Sequence, residues 1–354
     1  MGKVFLLLLA AAACVWFYMK DKKGNAVENK ASESKAVVRS TAQNNTAEKK
    51  VKKLPPKEDS EYNPVPGSLA EQVVILSKKP EFKPVSSYSP NDNQDHPYRI
   101  LHSTKVNKSS KCKEFLKTNE TLLQECRKLS GFSTLGVKVS GSPVQKMPYL
   151  SDFRTIFRLL CYSAEYNINF GNKKQGMEDF AHAVKILKTF CSGTANIIHF
   201  YTVQRSNSYV VNMVKRLRIS QKNKDELLSQ LLERKDFAAS LSQALDGDIL
   251  VCLYLRKWYD VLPEILGIEP KAGKIPQSVQ EIIDYAELLQ DIPEDRLEQM
   301  CREYNKILVK AFEENTVDQV SPFNLGTEKE NKILATNHYG VFLPAITRIS
   351  ESIK

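Results

Sequence analysis

The sequence predicts an all-α fold, either an irregular helical bundle or a short α-solenoid-like array of antiparallel helices, standing behind a single N-terminal membrane segment. Three observations predict it. From Leu150 to about Leu255 apolar side chains recur at i, i+3 and i+4 with little interruption, the period of amphipathic helices. Val4–Met19 is an unbroken apolar run between Lys3 and Lys20. Residues 20–66 are dominated by Lys, Glu, Ser, Ala, Asn and Pro, a composition that buries too little apolar surface to offset the entropy of ordering. The expected organisation is a membrane segment at 1–19, a disordered charged linker at 20–66 and one helical domain at 67–354. Within that domain 67–109 reads as an irregular lead-in and 110–354 as helices.

Met1-Gly2-Lys3 is a short basic start, and the apolar run after it ends at Lys20-Asp21-Lys22-Lys23, the pattern of a membrane-targeting segment. As a helix, residues 4–19 rise about 24 Å, enough for a short span whose flanking lysines reach the two interfaces. An uncleaved anchor is the favoured reading. Ala11-Ala12-Ala13-Cys14 leaves two alternatives open, lipidation at Cys14 and ordinary signal cleavage. Against both, either would leave Val15-Trp16-Phe17-Tyr18-Met19 near a new N-terminus, whereas Trp16 and Tyr18 suit a membrane interface. The short N-terminal tail favours a single pass with the bulk of the chain outside the cytoplasm, periplasmic in a bacterium of Gram-negative type. The linker then spaces the domain about 35–40 Å from the bilayer as a coil.

The first helix of the lead-in falls on Leu69–Leu76. A longer one is expected over Ser110–Leu129, with Cys112, Phe115, Leu116, Leu122, Leu123, Cys126 and Leu129 on one face. Ser130–Met147 reads as a loop, with Val137-Lys138-Val139 adding at most a short strand. Asp152 is a candidate cap for a helix carrying Phe153, Ile156, Phe157, Leu160, Cys161, Ala164 and Ile168. Gly171-Asn172 turns the chain into a second helix with Met177, Phe180, Ala183, Val184, Leu187 and Cys191. Helices follow over Thr194–Leu217, from Asn223 or Asp225, and from Asp236 through Leu255. Pro263, Gly267, Pro270, Gly273 and Pro276 mark a break, after which Ser278–Leu289 and Pro293–Glu313 resume, Pro293 in a first turn where its missing N–H costs nothing. A loop at Ser321–Gly326 leads to a last segment, Glu328–Ile353, that Pro344 should kink.

Counted from Gly171, a small residue at Gly176, an aromatic at Phe180 and an alanine at Ala183 resemble the second helix of a tetratricopeptide hairpin, and Ala164 suits its first. Leu160, Asn167 and Gly176 depart from that motif's tryptophan, aromatic and alanine, and no second copy follows about 34 residues on. Leu150-Ser151-Asp152-Phe153-Arg154, the Gly171 turn, Phe180-Ala181-His182-Ala183, Ile197-Ile198, Leu227–Leu241 and Gln243-Ala244-Leu245-Asp246-Gly247-Asp248, in this order, resemble an uncharacterised bacterial family of membrane-anchored, mainly helical proteins. Asn337–Arg348 suits that family's C-terminal helix. The resemblance spans about residues 150–350. It implies a helical domain on an N-terminal membrane segment and supplies no activity, cofactor or catalytic residue.

The net charge of +10 invites a nucleic-acid reading. Its distribution argues against one. Residues 20–66 hold 11 Lys/Arg against 7 Asp/Glu, and the basic runs Lys105–Lys117 and Lys215–Lys224 lack interleaved aromatics that would stack bases, so they read as solvated helix faces. Seven cysteines, Cys14, Cys112, Cys126, Cys161, Cys191, Cys252 and Cys301, show no zinc-site spacing. Most fall on apolar faces, as small hydrophobes; Cys112 and Cys126 on one straight helix would be about 21 Å apart, too far to bridge. Asn44, Asn107 and Asn119 head glycosylation sequons.

No H-E-x-x-H, phosphate-binding glycine loop or dinucleotide fingerprint is present, so no catalytic, metal or cofactor residue is assigned and no cofactor is expected. His96, His102, His182, His199 and His338 are dispersed, although His182 and His199 fall on neighbouring helices. Glu165, Glu178 and Asp179 cluster near the hairpin, and Asp246 with Asp248 makes a second acidic spot. Paired carboxylates serve acid–base or metal chemistry only when held together in a cleft, and capping or solvation is the plainer explanation. The expected function is a membrane-tethered, non-catalytic helical scaffold of the cell envelope that binds protein or peptide. The alternatives are an envelope hydrolase using acidic residues and a carrier of lipid or another apolar ligand.

Overall fold

Pro148, preset for a first helical turn, opens the helix around which the others pack. The computed structural model describes residues 54–55, 64–87, 95–102, 106–142, 147–266, 277–320, 326–336 and 346. The anchor at 4–19, Cys14, nearly all of the linker, His338 and the Pro344 kink lie outside the described residues. Fourteen α-helices and no strand are described. In chain order they are α1 (Leu69–Ser77), α2 (Lys83–Ser86), α3 (Pro97–His102), α4 (Ser110–Thr118), α5 (Glu120–Lys128), α6 (Pro148–Phe170) and α7 (Lys173–Ser192). The second half holds α8 (Ile197–Arg216), α9 (Gln221–Leu228), α10 (Arg234–Lys257), α11 (Leu262–Ile265), α12 (Gln277–Gln290), α13 (Glu294–Glu314) and α14 (Glu328–Thr336). The all-α expectation is met.

Helix α6 and helix α7 form a hairpin through Gly171 and Asn172, and the Asn172 side chain caps α7 by accepting from the amides of Lys174 and Gln175. Gly176 lets the two helices approach: a Cβ there would lie 2.7 Å from the Ile168 amide nitrogen and 3.0 Å from the Ala164 carbonyl oxygen. α10 crosses the middle of the fold and touches α7, α8, α12 and α13. That branching is the packing of an irregular bundle, since a solenoid repeat touches only its neighbours. One apolar core runs from Leu69 to Ile346, with Phe153 stacked on Phe190 at 3.5 Å between ring centroids. α10 is also, among the described residues, the one helix long and apolar enough to cross a membrane, and most of that stretch is buried inside the bundle.

Several local expectations are corrected. The lead-in is less irregular than its Pro and Ser content suggests, because α1, α2 and α3 all lie against α6. The single helix expected over Ser110–Leu129 is broken at Asn119, whose side-chain amide donates to the Phe115 carbonyl and competes with the helical ladder. Cys112 and Cys126 therefore lie on two successive helices and not on one straight helix. Asp152 is not the N-cap of α6; it lies inside the helix, which starts earlier at Pro148 after Met147. Ser220, not Asn223 or Asp225, caps α9. Asp236 is the third residue of α10, in a capping box with Glu233. Pro293 takes the N-cap position with extended backbone, one residue outside the helix. The loop after residue 130 forms only an isolated bridge, Pro64 with Val137, and its Thr134 and Leu135 carbonyls accept from the first amides of α1. It thus completes the end of a helix whose donors have no partner within it.

Gly247 sits in the interior of α10, where the helix backbone meets the chain entering α8: a Cβ would fall 1.9 Å from the Ala195 carbonyl oxygen. On an open helix Gly→Ala stabilises by about 1 kcal/mol. Here Gly247→Ala should destabilise by about 1–3 kcal/mol or more, because backbone must shift to admit the methyl group. Urea titration of the two proteins measures the sign, and a more stable variant would refute the close approach.

Candidate functional site

The best-formed candidate lies beside the hairpin turn, where α4 and α5 pass over α6 and α7. A cavity of about 530 Å³ opens there, lined by Lys108, Lys113, Lys117, Ser110, Asn167 and Gln175 among others. That volume falls within the range of ligand clefts. Ser109 caps α4, its hydroxyl accepting from the Cys112 amide, so the positive end of the helix dipole faces the same space. Lys108, Lys113 and Lys117 are exposed and, among the described residues, make no ion pair. Arg127 also lines the cavity, but Asp179 and Glu120 neutralise it.

Behind the cavity, its lining residues Arg127, Ser163 and Gln175 converge on one carboxylate. Asp179 is fully buried and accepts from Arg127 Nε at 2.7 Å and Nη2 at 3.3 Å, from Ser163 Oγ at 2.6 Å and from Gln175 Nε2 at 3.2 Å. It thereby ties α5, α6 and α7 together. A second cavity of about 320 Å³, lined by Asp246, Arg302, Asn305 and Lys306 among others, lies on α10 and α13. Its Arg302 is held by Glu298 at 2.7 Å.

The carboxylates singled out in the sequence do not converge. Glu165 is buried and accepts from Arg216 Nε and Nη2 at 3.0 and 2.7 Å, fastening α6 to α8. Glu178 is exposed, and Asp179 is turned inward. Asp246 is exposed near Arg302 at 3.5 Å, whereas Asp248 is buried in the core with Oδ2 unpartnered. Burial, followed by the neighbouring Cys252, raises the Asp248 pKa well above the usual carboxylate range, so the neutral acid is the form the core accepts.

The histidines are likewise separate. His182 Nδ1 shares a hydrogen bond of 2.7 Å with the Ser130 hydroxyl. His199 is buried between rings, its Nδ1 accepting from the Ala195 amide at 3.2 Å and its Nε2 donating to the Phe190 carbonyl at 3.0 Å. Those two bonds fix the neutral Nε2–H tautomer. Burial pushes its pKa down to about 3. His102 is pushed down to about 4 by burial and then by Arg158 and Arg154. Among the described residues no group of three or more His, Cys, Asp or Glu is placed to hold a metal.

The six described cysteines are free and buried, on the apolar faces where the periodicity puts them. Of the sequons, Asn119 is buried and bonded to Phe115, which leaves no room for a glycan, while Asn107 is exposed. The lysines of the cavity belong to the run read as a solvated face. What the sequence does not reveal is that Asn167 and Gln175, at the two ends of the hairpin turn, close a concave wall behind them.

No family model matches the chain, and neither the curated proteins nor the solved structures contain a match.

Proposed function

We propose that the chain is a non-catalytic helical binding module, tethered through residues 4–19 and exposed outside the cytoplasm in the cell envelope, whose partner is a protein segment rich in Asp and Glu. The observation that carries this reading is the cavity of about 530 Å³ in which Lys108, Lys113 and Lys117 stand without a carboxylate partner among the described residues. An acidic peptide supplies the missing charge, and the first turn of α4 adds dipole and amide donors. The α6–α7 hairpin, with Gly176, Phe180 and Ala183 at the positions a tetratricopeptide hairpin uses, provides a stiff wall. The resemblance of residues 150–350 to membrane-anchored, mainly helical bacterial proteins supports a membrane tether. A hydrolase reading is less favoured, since Glu165 and Asp179 are engaged by Arg216 and Arg127.

The test is binding of a fluorescent ten-residue glutamate-rich peptide to the full chain in detergent, with a glutamine-rich peptide as control. Affinity for the acidic peptide should fall at least tenfold in Lys113→Glu/Lys117→Glu and should weaken steadily with salt. Equal binding of the two peptides, or an unaffected variant, would refute the reading. Preferential capture of single-stranded DNA by the same lysines would replace it with a nucleic-acid one.

A further inference from the structure

Four arginines elsewhere in the fold are each matched to a carboxylate: Arg127 with Asp179, Arg216 with Glu165, Arg296 with Glu330 and Arg302 with Glu298. Three others, Arg154, Arg158 and Arg205, have no such partner among the described residues. We propose that these three arginines, brought together where α3, α6 and α8 meet, form a binding site for a phosphate ester.

Arg154 and Arg158 are four residues apart on α6, so their side chains leave the helix from the same face, one turn apart. Arg158 is braced on two sides. Its Nη1 donates to His102 Nδ1 of α3, and its guanidinium lies 5.8 Å from the centre of the Tyr209 ring of α8. His102 is itself stacked on Tyr98, with ring centroids 4.1 Å apart. Arg205 precedes Tyr209 by one turn on α8, which places it on the same side of that helix. Arg154 and Arg205 keep contact with solvent, yet the charges sense each other: partial desolvation, then Arg158 and Arg205, lower the Arg154 pKa. His102, which stays neutral at pH 7, acts as an acceptor for Arg158 and adds no charge.

The site therefore gathers three positive charges around a neutral imidazole and two phenol rings, and among the described residues none of the three is paired with a carboxylate; Glu165, the acid whose charge bears on Tyr209, is taken by Arg216. Holding like charges together is costly unless something neutralises them. Guanidinium forks match phosphate oxygens two at a time, and a phosphate monoester offers nearly two negative charges on three oxygens, where a carboxylate offers one on two. The neighbouring aromatic rings give the organic part of an ester a surface to lie on. This face of α6 is not the face that lines the lysine cavity, whose α6 contributors are Ser163, Tyr166, Asn167 and Phe170, so the site stands independently of the peptide reading.

A phosphate ester can come from a soluble metabolite or from a lipid headgroup, and two probes separate them. The full chain in zwitterionic detergent is titrated calorimetrically with phenyl phosphate, a soluble monoester, and with dihexanoyl phosphatidic acid, at constant ionic strength set with sodium chloride. At least one probe should bind saturably, and Arg154→Gln/Arg205→Gln should weaken it at least tenfold while helix content stays unchanged. Should the double variant fold poorly, Arg205→Lys, which keeps the charge and loses the fork, should still weaken binding severalfold. Binding of phenyl phosphate alone identifies a soluble ester, and binding of phosphatidic acid alone identifies a headgroup. Absence of saturable binding by either probe, or equal binding by wild type and variants, overturns the site.

Discussion

Asp248→Asn should lose stability more steeply than the wild type as pH falls below 6.5, approaching about 1.4 kcal/mol per pH unit, because it removes a carboxyl whose titration opposes that of His199. The lability belongs to His199. Its folded pKa is depressed from 6.5 to about 3, so its contribution is fully present above pH 6.5 and is withdrawn as pH falls towards 3. Over that whole interval it amounts to about 5 kcal/mol, a large share of a typical domain's stability. The cause is structural: the imidazole is enclosed by Tyr149 and Phe190, and protonating Nδ1 would break its bond from the Ala195 amide. His102, also depressed, adds a smaller term of the same sign because it is half-exposed.

Asp248 works in the opposite direction. Its folded pKa is raised above 3.8, so the stability it supports is complete below that value and declines as pH rises. In the wild type the two slopes oppose each other. Asparagine removes the carboxyl titration and leaves that of His199, and the variant should also be the more stable protein at pH 8. Urea unfolding at half-unit pH steps measures both slopes. The direct check is the imidazole resonance of His199, which should keep its neutral shift down to about pH 4; a titration midpoint near 6.5 would show that the ring is not enclosed.

How far the fold could be read from the sequence follows from the range of the interactions involved. The 3.6-residue period located α6, α7, α8, α10 and α13, because each buries a face against the common core and the pattern is local. Boundaries were less legible. Competing Asp and Asn residues stood near each start, and only the backbone decides whether Ser220 or Asn223 caps. Asn119 shows the same limit from the other side, since a helix former's face pattern continues across it while its side chain breaks the ladder. The lysine run was visible, but its concavity was not, because Asn167 and Gln175 are supplied from a hairpin about sixty residues downstream. The arginine site was hidden for a similar reason: what marks it is that arginines from two helices and a histidine from a third meet without any of the arginines being paired to a carboxylate among the described residues.

Asp179→Ala should be among the most damaging single changes, costing about 3–5 kcal/mol, because it strands a guanidinium and removes the hub of a network shared by three helices. Glu178 and Asp179 are adjacent and chemically alike, yet their fates differ. A helix turns about 100° per residue, so Glu178 reaches solvent while Asp179, beside Phe180, is directed into the core. There a carboxylate is tolerable only with full compensation, and Arg127, Ser163 and Gln175 provide it. Alanine leaves Arg127 with Glu120 alone, at the solvent edge, and opens a void beneath the lysine cavity. Asp179→Asn keeps the volume but points an amide donor at donors, so it should recover only part of the loss. Arg127→Met, paired with Asp179→Leu, removes both charges and should be milder than Asp179→Ala alone. The comparison is made by urea unfolding at pH 7, and a cost below about 1 kcal/mol for Asp179→Ala would place the Arg127 pair among the weak surface contacts. The same variants separate structure from binding. Loss of peptide affinity in Asp179→Ala but not in the double replacement would mean that the cavity depends on how α5 is held, and not on the charge of Arg127.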